Sequence, residues 1–183
     1  SPIPVVVAIL LSLVVCNAKD PLYLAYFGPF AGAWPGGIEM DPAVTLAFAD
    51  VNAHPDVLPG HELRRVLVRT QCNAGVGVKG LFAVLSDAQK PVVGIVGPGC
   101  SVVSGPISQT AALFNLVAVS GSAGSATLSQ KSMYPYFLRT VSPHMAYVPA
   151  MIALCTYFKW RRVGSITEKT GVTTGTMAVF HEA

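Results

Sequence analysis

Pro91-Val92-Val93-Gly94-Ile95-Val96-Gly97-Pro98-Gly99-Cys100-Ser101-Val102-Val103-Ser104 is the stretch whose reading decides the fold. Pro91 to Val96 is strongly apolar and carries no charge, as expected of a strand at the centre of a parallel sheet with both faces covered. Gly97-Pro98-Gly99-Cys100-Ser101 reads as a tight turn. A helix follows to about Phe114. Pro106 is tolerated only in a helix's first turn, so this helix is expected to begin near Val102 to Ser104.

Strand and helix signals alternate on either side of this stretch, the pattern of a parallel α/β sheet with flanking helices. Toward the amino terminus, Leu22 to Phe27 reads as a strand and Gly28 to Gly37 as a loop rich in Gly and Pro. Asp41-Pro42 then looks like a helix opening, with Asp as the cap and Pro at the first helical position. Val44, Ala47, Phe48 and Val51 give that helix one apolar face. Glu62 to Arg69 is the next expected strand, and Gly75 to Leu85 a helix weakened by its glycines. Toward the carboxyl terminus, Leu116 to Val119 and Tyr136 to Arg139 read as strands. From Met145 the register changes. Val148, Ile152, Cys155 and Phe158 mark an amphipathic helix, Arg162 to Ile166 a strand, and Thr173 to Ala183 a further helix.

The 183 residues are 52% hydrophobic and 11% charged, against about 25% charged in average globular chains. This composition argues for large buried area rather than disorder. The net charge is +3, and the basic cluster Lys159-Trp160-Arg161-Arg162 is too short to make a nucleic-acid surface. Ser1 to Ala18 is an apolar run with Cys16-Asn17-Ala18 at its end. It is shorter than the roughly 20 residues a spanning helix needs and reads as a secretory signal peptide cleaved after Ala18. Of the four cysteines, Cys16 would leave with that leader. An oxidising compartment then allows one bridge among the remaining three. Cys72 and Cys100 each follow a strand-like run and are the expected pair, leaving Cys155 as a buried thiol.

In open α/β sheets ligands bind beyond the carboxyl ends of the strands. Three segments fit that location: Phe27 to Gly37, which carries Trp34; Gly97 to Ser104; and the Gly/Ser-rich Ser120 to Ser129. In the second, Gly97 and Gly99 allow close backbone approach, and the unpaired amides of the helix start together with the Ser101 hydroxyl suit a carboxylate. The same pattern also reads as Ser101 simply capping the helix. Trp34 reads equally as a ligand platform or as an anchor of its loop. Gly97-x-Gly99-x-x-Val102 lacks the third glycine of a dinucleotide fingerprint. No nucleophile–base pair stands out, and His54, His61, His144 and His181 have no metal-ligand spacing. No catalysis, metal or cofactor is therefore expected.

These segments resemble the ectodomain of class C G-protein-coupled receptors, and within them the metabotropic GABA type B receptors. Phe27-Gly28-Pro29-Phe30-Ala31-Gly32-Ala33-Trp34-Pro35-Gly36-Gly37 resembles the family's first loop. Asp41-Pro42-Ala43-Val44 with Ala49-Asp50-Val51-Asn52 resembles its first helix, and Asp56-Val57-Leu58-Pro59 and Thr70-Gln71-Cys72-Asn73 continue in register. Pro98-Gly99-Cys100-Ser101-Val102-Val103-Ser104 is similar to its carboxylate-binding turn. Phe114-Asn115-Leu116-Val117, Tyr134-Pro135-Tyr136-Phe137-Leu138-Arg139-Thr140-Val141 and Tyr157-Phe158-Lys159-Trp160-Arg161-Arg162-Val163-Gly164 complete the series. The Cys-Ser turn also resembles type I periplasmic binding proteins.

The resemblance implies a two-lobed clamshell that traps a small amino-acid-like ligand, GABA among the candidates. The expected organisation is a leader over 1–18, a nearly complete first lobe over 21–143, and the beginning of a second lobe over 144–183. The resemblance further implies an extracellular position at the plasma membrane, a downstream seven-helix bundle coupled to G proteins, and pairing with a second receptor subunit. The alternative is a solute-binding protein of a transport system. The resemblance agrees with a Cys72–Cys100 bridge, and it makes Trp34, Gly99, Ser101, Ser122, Gly124 and Ser125 the expected ligand residues. A second ligand serine of the family falls at Gly124, flanked by Ser122 and Ser125. The family's ligand histidine falls at Val141. In both respects the second half looks more like the subunit that does not bind agonist.

Overall fold

The computed structural model describes residues 19–168 and 173–182, so the expected leader lies outside the described residues. Five strands, β1 (Asp20–Gly28), β2 (His61–Arg69), β3 (Val92–Val96), β4 (Ala118–Ser120) and β5 (Phe137–Arg139), form one parallel sheet in the order β2-β1-β3-β4-β5. The uncharged β3 takes the central place, as its sequence requires. Residues Gly28 and Arg69 are paired in register, as are Ser120 and Arg139, so the strands end along a common edge. The strand order reverses between β1 and β3, and a crevice opens at such a reversal beyond the strand ends.

Helix α1 (Gly37–Ala53) packs on β1 and β2. Helices α2 (Ala74–Leu85) and α3 (Ser101–Ala112) pack against each other, with α2 on β2 and α3 on β4. The core is built from Phe27, Ile95, Leu81, Val103, Ile107, Leu128 and Phe137, all essentially excluded from water. Each such side chain contributes about 1.5–3 kcal/mol of burial. Two helical glycines set how closely α2 approaches its neighbours. A Cβ on Gly80 would stand 2.2 Å from Cγ1 of Val68, and one on Gly77 would stand 2.7 Å from Cγ1 of Val103. The glycines that weaken α2 as an isolated helix therefore let it lie flush on the sheet.

The structure corrects three local expectations. Helix α1 begins at Gly37, not at Asp41-Pro42. Gly37 N–H donates to the Pro29 carbonyl (2.8 Å) and Met40 N–H to the Gly36 carbonyl (3.0 Å), which starts the helical ladder a turn early. Asp41 thus lies inside the helix and takes Arg65 Nη1 from β2 at 2.6 Å instead of capping. Pro42 sits in the second turn, where its missing N–H frees the carbonyl of Ile38, an exposed residue. Of the expected apolar face, Val44, Phe48 and Val51 are half-buried and Ala47 is exposed. The second correction is smaller: α3 starts at Ser101 and already includes Pro106 as its sixth residue.

Thirdly, no strand forms over 162–166. A parallel strand exists only through its ladder, and none of the described residues offers that segment a partner. After β5, a 3₁₀ turn over His144–Tyr147 leads into α4 (Val148–Tyr157), which contacts α5 (Thr173–Glu182). Val148, Ile152 and Cys155 form the covered stripe of α4, whereas Phe158 is exposed.

Cys72 and Cys100 are disulfide-bonded, with Cα atoms 5.5 Å apart. The bridge joins the turn after β2 to the turn before α3. Gln71 and Cys72 both have φ of 53°, a left-handed conformation uncommon for non-glycine residues. The bridge and the Asn73 N–H bond to the Thr70 carbonyl (2.9 Å) hold the chain there. Replacing both cysteines with alanine is expected to cost about 2–4 kcal/mol, read as a lower Tm in calorimetry. Gly80→Val is expected to lower stability by about 1–3 kcal/mol through overpacking against Val68, seen as a reduced denaturant midpoint at unchanged m-value.

Candidate functional site

A cavity of about 620 Å³ opens at the carboxyl edge of the sheet. Trp34, Gly99, Ser101, Ser122, Gly124 and Ser125 all line it, together with the Cys72–Cys100 bridge. One concavity therefore unites every residue that the sequence nominated for ligand contact, drawn from the loops after β1, β3 and β4.

The turn after β3 carries the centre of the cavity. Gly97 has φ of +79°, and a Cβ there would meet the Tyr26 ring at 2.8 Å, so both backbone conformation and space require glycine. The buried Pro98 carbonyl accepts the hydroxyl hydrogens of Ser104 and of Ser120 (2.9 Å for the latter). These bonds fix the start of α3 against the end of β4. Cys100 is the residue before the helix and gives no side-chain cap; Ser101 is the first helical residue. Of the two readings of Ser101, simple capping is thus not what forms. Its Oγ instead accepts the N–H of Ser125 at 3.1 Å. A hydroxyl that accepts one bond can still donate its own hydrogen. The amides of Ser101 and Val102 have no intrahelical acceptor, whereas that of Val103 donates to the Cys100 carbonyl at 2.9 Å.

The loop after β4 is shaped from beneath. Ser120 Oγ accepts from the N–H groups of Ser122 (3.3 Å) and Ala123 (3.0 Å). Ser122 Oγ donates to the Gly99 carbonyl at 3.1 Å, tying the two glycine-rich turns together. Arg139, at the end of β5, donates from Nη1 to the carbonyls of Ala123 (3.1 Å) and Ser125 (2.8 Å), and from Nη2 to Ser129 Oγ. Burial pulls the Arg139 pKa below its ordinary value, yet a guanidinium stays charged at neutral pH. Its charge-assisted bonds therefore hold the loop at two carbonyls. Ser125 is buried and its hydroxyl pairs with Thr127 Oγ1 at 2.9 Å. It shapes the wall more than it faces the opening.

Of the two readings that its sequence left open, Trp34 forms the loop anchor. Its indole lies across the backbone: a Cβ on Gly36 would meet Cζ2 at 2.2 Å, and one on Gly99 would meet Cζ3 at 3.0 Å. Those glycines seat the ring, which anchors the loop. Trp34 nonetheless remains 40% exposed and presents apolar surface to the cavity.

The sequence reading missed two ionisable members of the lining, His144 and Glu168. Neither lies within a motif, and His144, three residues after Val141, was one of four scattered histidines. What brings it in is tertiary: its N–H donates to the Gly124 carbonyl at 2.9 Å across 20 residues of chain. Among the described residues, no group of three His, Cys, Asp or Glu side chains is arranged to hold a metal ion, and no helix is long and apolar enough to cross a membrane.

Comparison with known proteins gives the same architecture a lineage. Mouse gamma-aminobutyric acid type B receptor subunit 1 is 33% identical over 161 residues, covering 88% of this chain and 17% of that protein. Subunit 1 of Caenorhabditis elegans is 31% identical over 154 residues, or 81% of this chain and 17% of the relative. Rat subunit 2 is 32% identical over 127 residues, or 69% of this chain and 13% of the relative. The chain thus spans only about an eighth to a sixth of the length of these receptors. Residues 39–183 match the family described as the receptor family ligand binding region. With a parallel α/β sheet whose strand ends open into one cavity, and with most of its length matched, the chain belongs to the receptor family ligand-binding region and is similar to that of type B GABA receptor subunits.

Proposed function

We propose that residues 21–143 are the first lobe of an extracellular receptor domain that binds a small amino acid, and that residues 144–183 begin the second lobe. The observation that carries this reading is the placement of Ser101 as the first residue of α3, with its hydroxyl and the neighbouring amides on the wall of the cavity. Oriented amides and the positive end of the helix dipole favour a carboxylate there. The exposed face of Trp34 suits the methylene stem of such a ligand. Glu168 on the same cavity supplies a negative charge for an ammonium group. A cavity with an anion-binding wall, an apolar platform and one acid fits a zwitterion better than a simple anion or cation.

In this reading the protein binds and signals rather than catalyses. γ-Aminobutyrate is the first candidate, because the relatives are receptors named for it. Their naming as receptor subunits also favours a receptor over a transport-associated binding protein. A second receptor subunit, a G protein reached through a membrane region, and a plasma-membrane location belong to the same proposal. The expected leader over 1–18 would direct the domain there.

Ser101→Ala removes a hydrogen bond to a charged group, worth about 1.5–3 kcal/mol. It is expected to weaken amino-acid binding by about tenfold or more, and to lower Tm by a few degrees because the buried Ser125 N–H loses its acceptor. Calorimetric titration of the full-length protein with γ-aminobutyrate checks this. An unchanged Kd removes Ser101 from the site.

A further inference from the structure

The loop that carries Trp34 is held by contacts outside the cavity. Among the described residues, Ala31, Gly32, Ala33 and Trp34 form no backbone hydrogen bond. Side chains and close backbone approach hold this stretch instead. At its start Phe30 acts as a wedge. A Cβ built on Gly28 would stand 2.4 Å from Cε2 of Phe30, so the ring fills the space above that glycine. Phe30 meets Tyr26 in a T-shaped pair, with centroids 6.2 Å apart and planes at 76°, a favoured aromatic geometry. One face of Phe30 is covered by Arg69 from the end of β2, whose Cζ stands 4.5 Å from the ring centroid. A cation within about 6 Å of an aromatic face is attracted by it. Tyr26 is fully buried, Phe30 half-buried and Arg69 exposed. Arg69 has no carboxylate partner among the described residues, so the stack is what orients its guanidinium. Further along, Gly32 has φ of +92°, and a Cβ there would stand 2.0 Å from the Gln71 carbonyl oxygen. The loop thus lies flush on the turn that follows β2, and Trp34 comes two residues later.

We propose that Arg69 is a positioning residue for ligand binding: stacked on Phe30, it seats the loop after β1 so that the indole of Trp34 is presented at the cavity wall. The inference rests on the amino-acid reading given above. Neither Arg69 nor Phe30 lines the cavity, so both act through Trp34. A guanidinium stays charged at neutral pH, so the stack persists across the pH range in which the protein is assayed. Lysine is the conservative replacement, because an ammonium is also drawn to an aromatic face. Methionine keeps an apolar stem and removes the charge.

The test uses the full-length protein, with γ-aminobutyrate and L-glutamate as probes in calorimetric titration, and hydroxyl-radical footprinting read by peptide mass. Arg69→Met is expected to weaken binding about two- to fivefold, and Arg69→Lys to recover part of the loss. Phe30→Leu, which stays apolar but has no ring face, is expected to weaken binding at least as much. Adding Arg69→Met to it should then cost nothing more, since coupled residues are non-additive. Without ligand, oxidation of Trp34 is expected to change in Arg69→Met and to return toward its original level in Arg69→Lys, while that of the exposed Trp160 stays constant. An unchanged Kd in Arg69→Met overturns the role of Arg69 and leaves the amino-acid reading standing. Weaker binding with unchanged Trp34 oxidation, or with equal changes at Trp34 and Trp160, does the same. Binding of neither amino acid to the unmodified protein overturns both.

Discussion

The carbonyl oxygen of Pro98 is the point on which the rest of the site depends. It is buried at the end of the central strand and accepts hydroxyl hydrogens from two elements, Ser104 of α3 and Ser120 of β4. A buried carbonyl without partners costs about 1–3 kcal/mol, so this pairing both satisfies the turn and fixes its geometry. It sets where α3 begins, and therefore where Ser101 and the free amides point. It also sets where the chain leaves β4, and therefore how close Ser125 comes to Ser101. The disulfide from Cys72 to Cys100 clamps the same turn from the side of β2.

From that fixed point the cavity is assembled by a repeated device, in which a glycine receives an aromatic ring. Gly36 and Gly99 receive the indole of Trp34, and Gly124 receives the imidazole of His144. A side chain at any of these glycines would close the gap between elements. Both rings are held against backbone at the cavity wall. Arg139 supplies the complementary restraint by gripping the carbonyls of Ala123 and Ser125 from the end of β5. Three strand ends and one arginine thus convert flexible Gly/Ser-rich loops into a shaped wall.

Where local reading failed, the reason is physical in each case. Asp41-Pro42 has the chemistry of a helix start, but the Pro29 carbonyl offers Gly37 an acceptor and the ladder begins earlier. Arg162 to Ile166 has the composition of a strand, but no described residue pairs with it. His144 carries no motif, and only its backbone bond to Gly124 brings it to the cavity. Each miss concerns a partner distant in sequence, which periodicity and propensity do not encode.

By itself the sequence determined the parallel α/β class, the central place of the uncharged strand, the cysteine pair and the three loops that meet at the strand ends. These follow from hydrophobic runs and turn chemistry, which act over a few residues. The tertiary structure alone decided that Ser101 lines the cavity with its Oγ accepting the Ser125 N–H instead of capping α3, since that amide lies 24 residues away. It alone decided which aromatic rings fill which glycine gaps, because packing and hydrogen-bond partnership are set by the folded arrangement of segments that the chain keeps far apart.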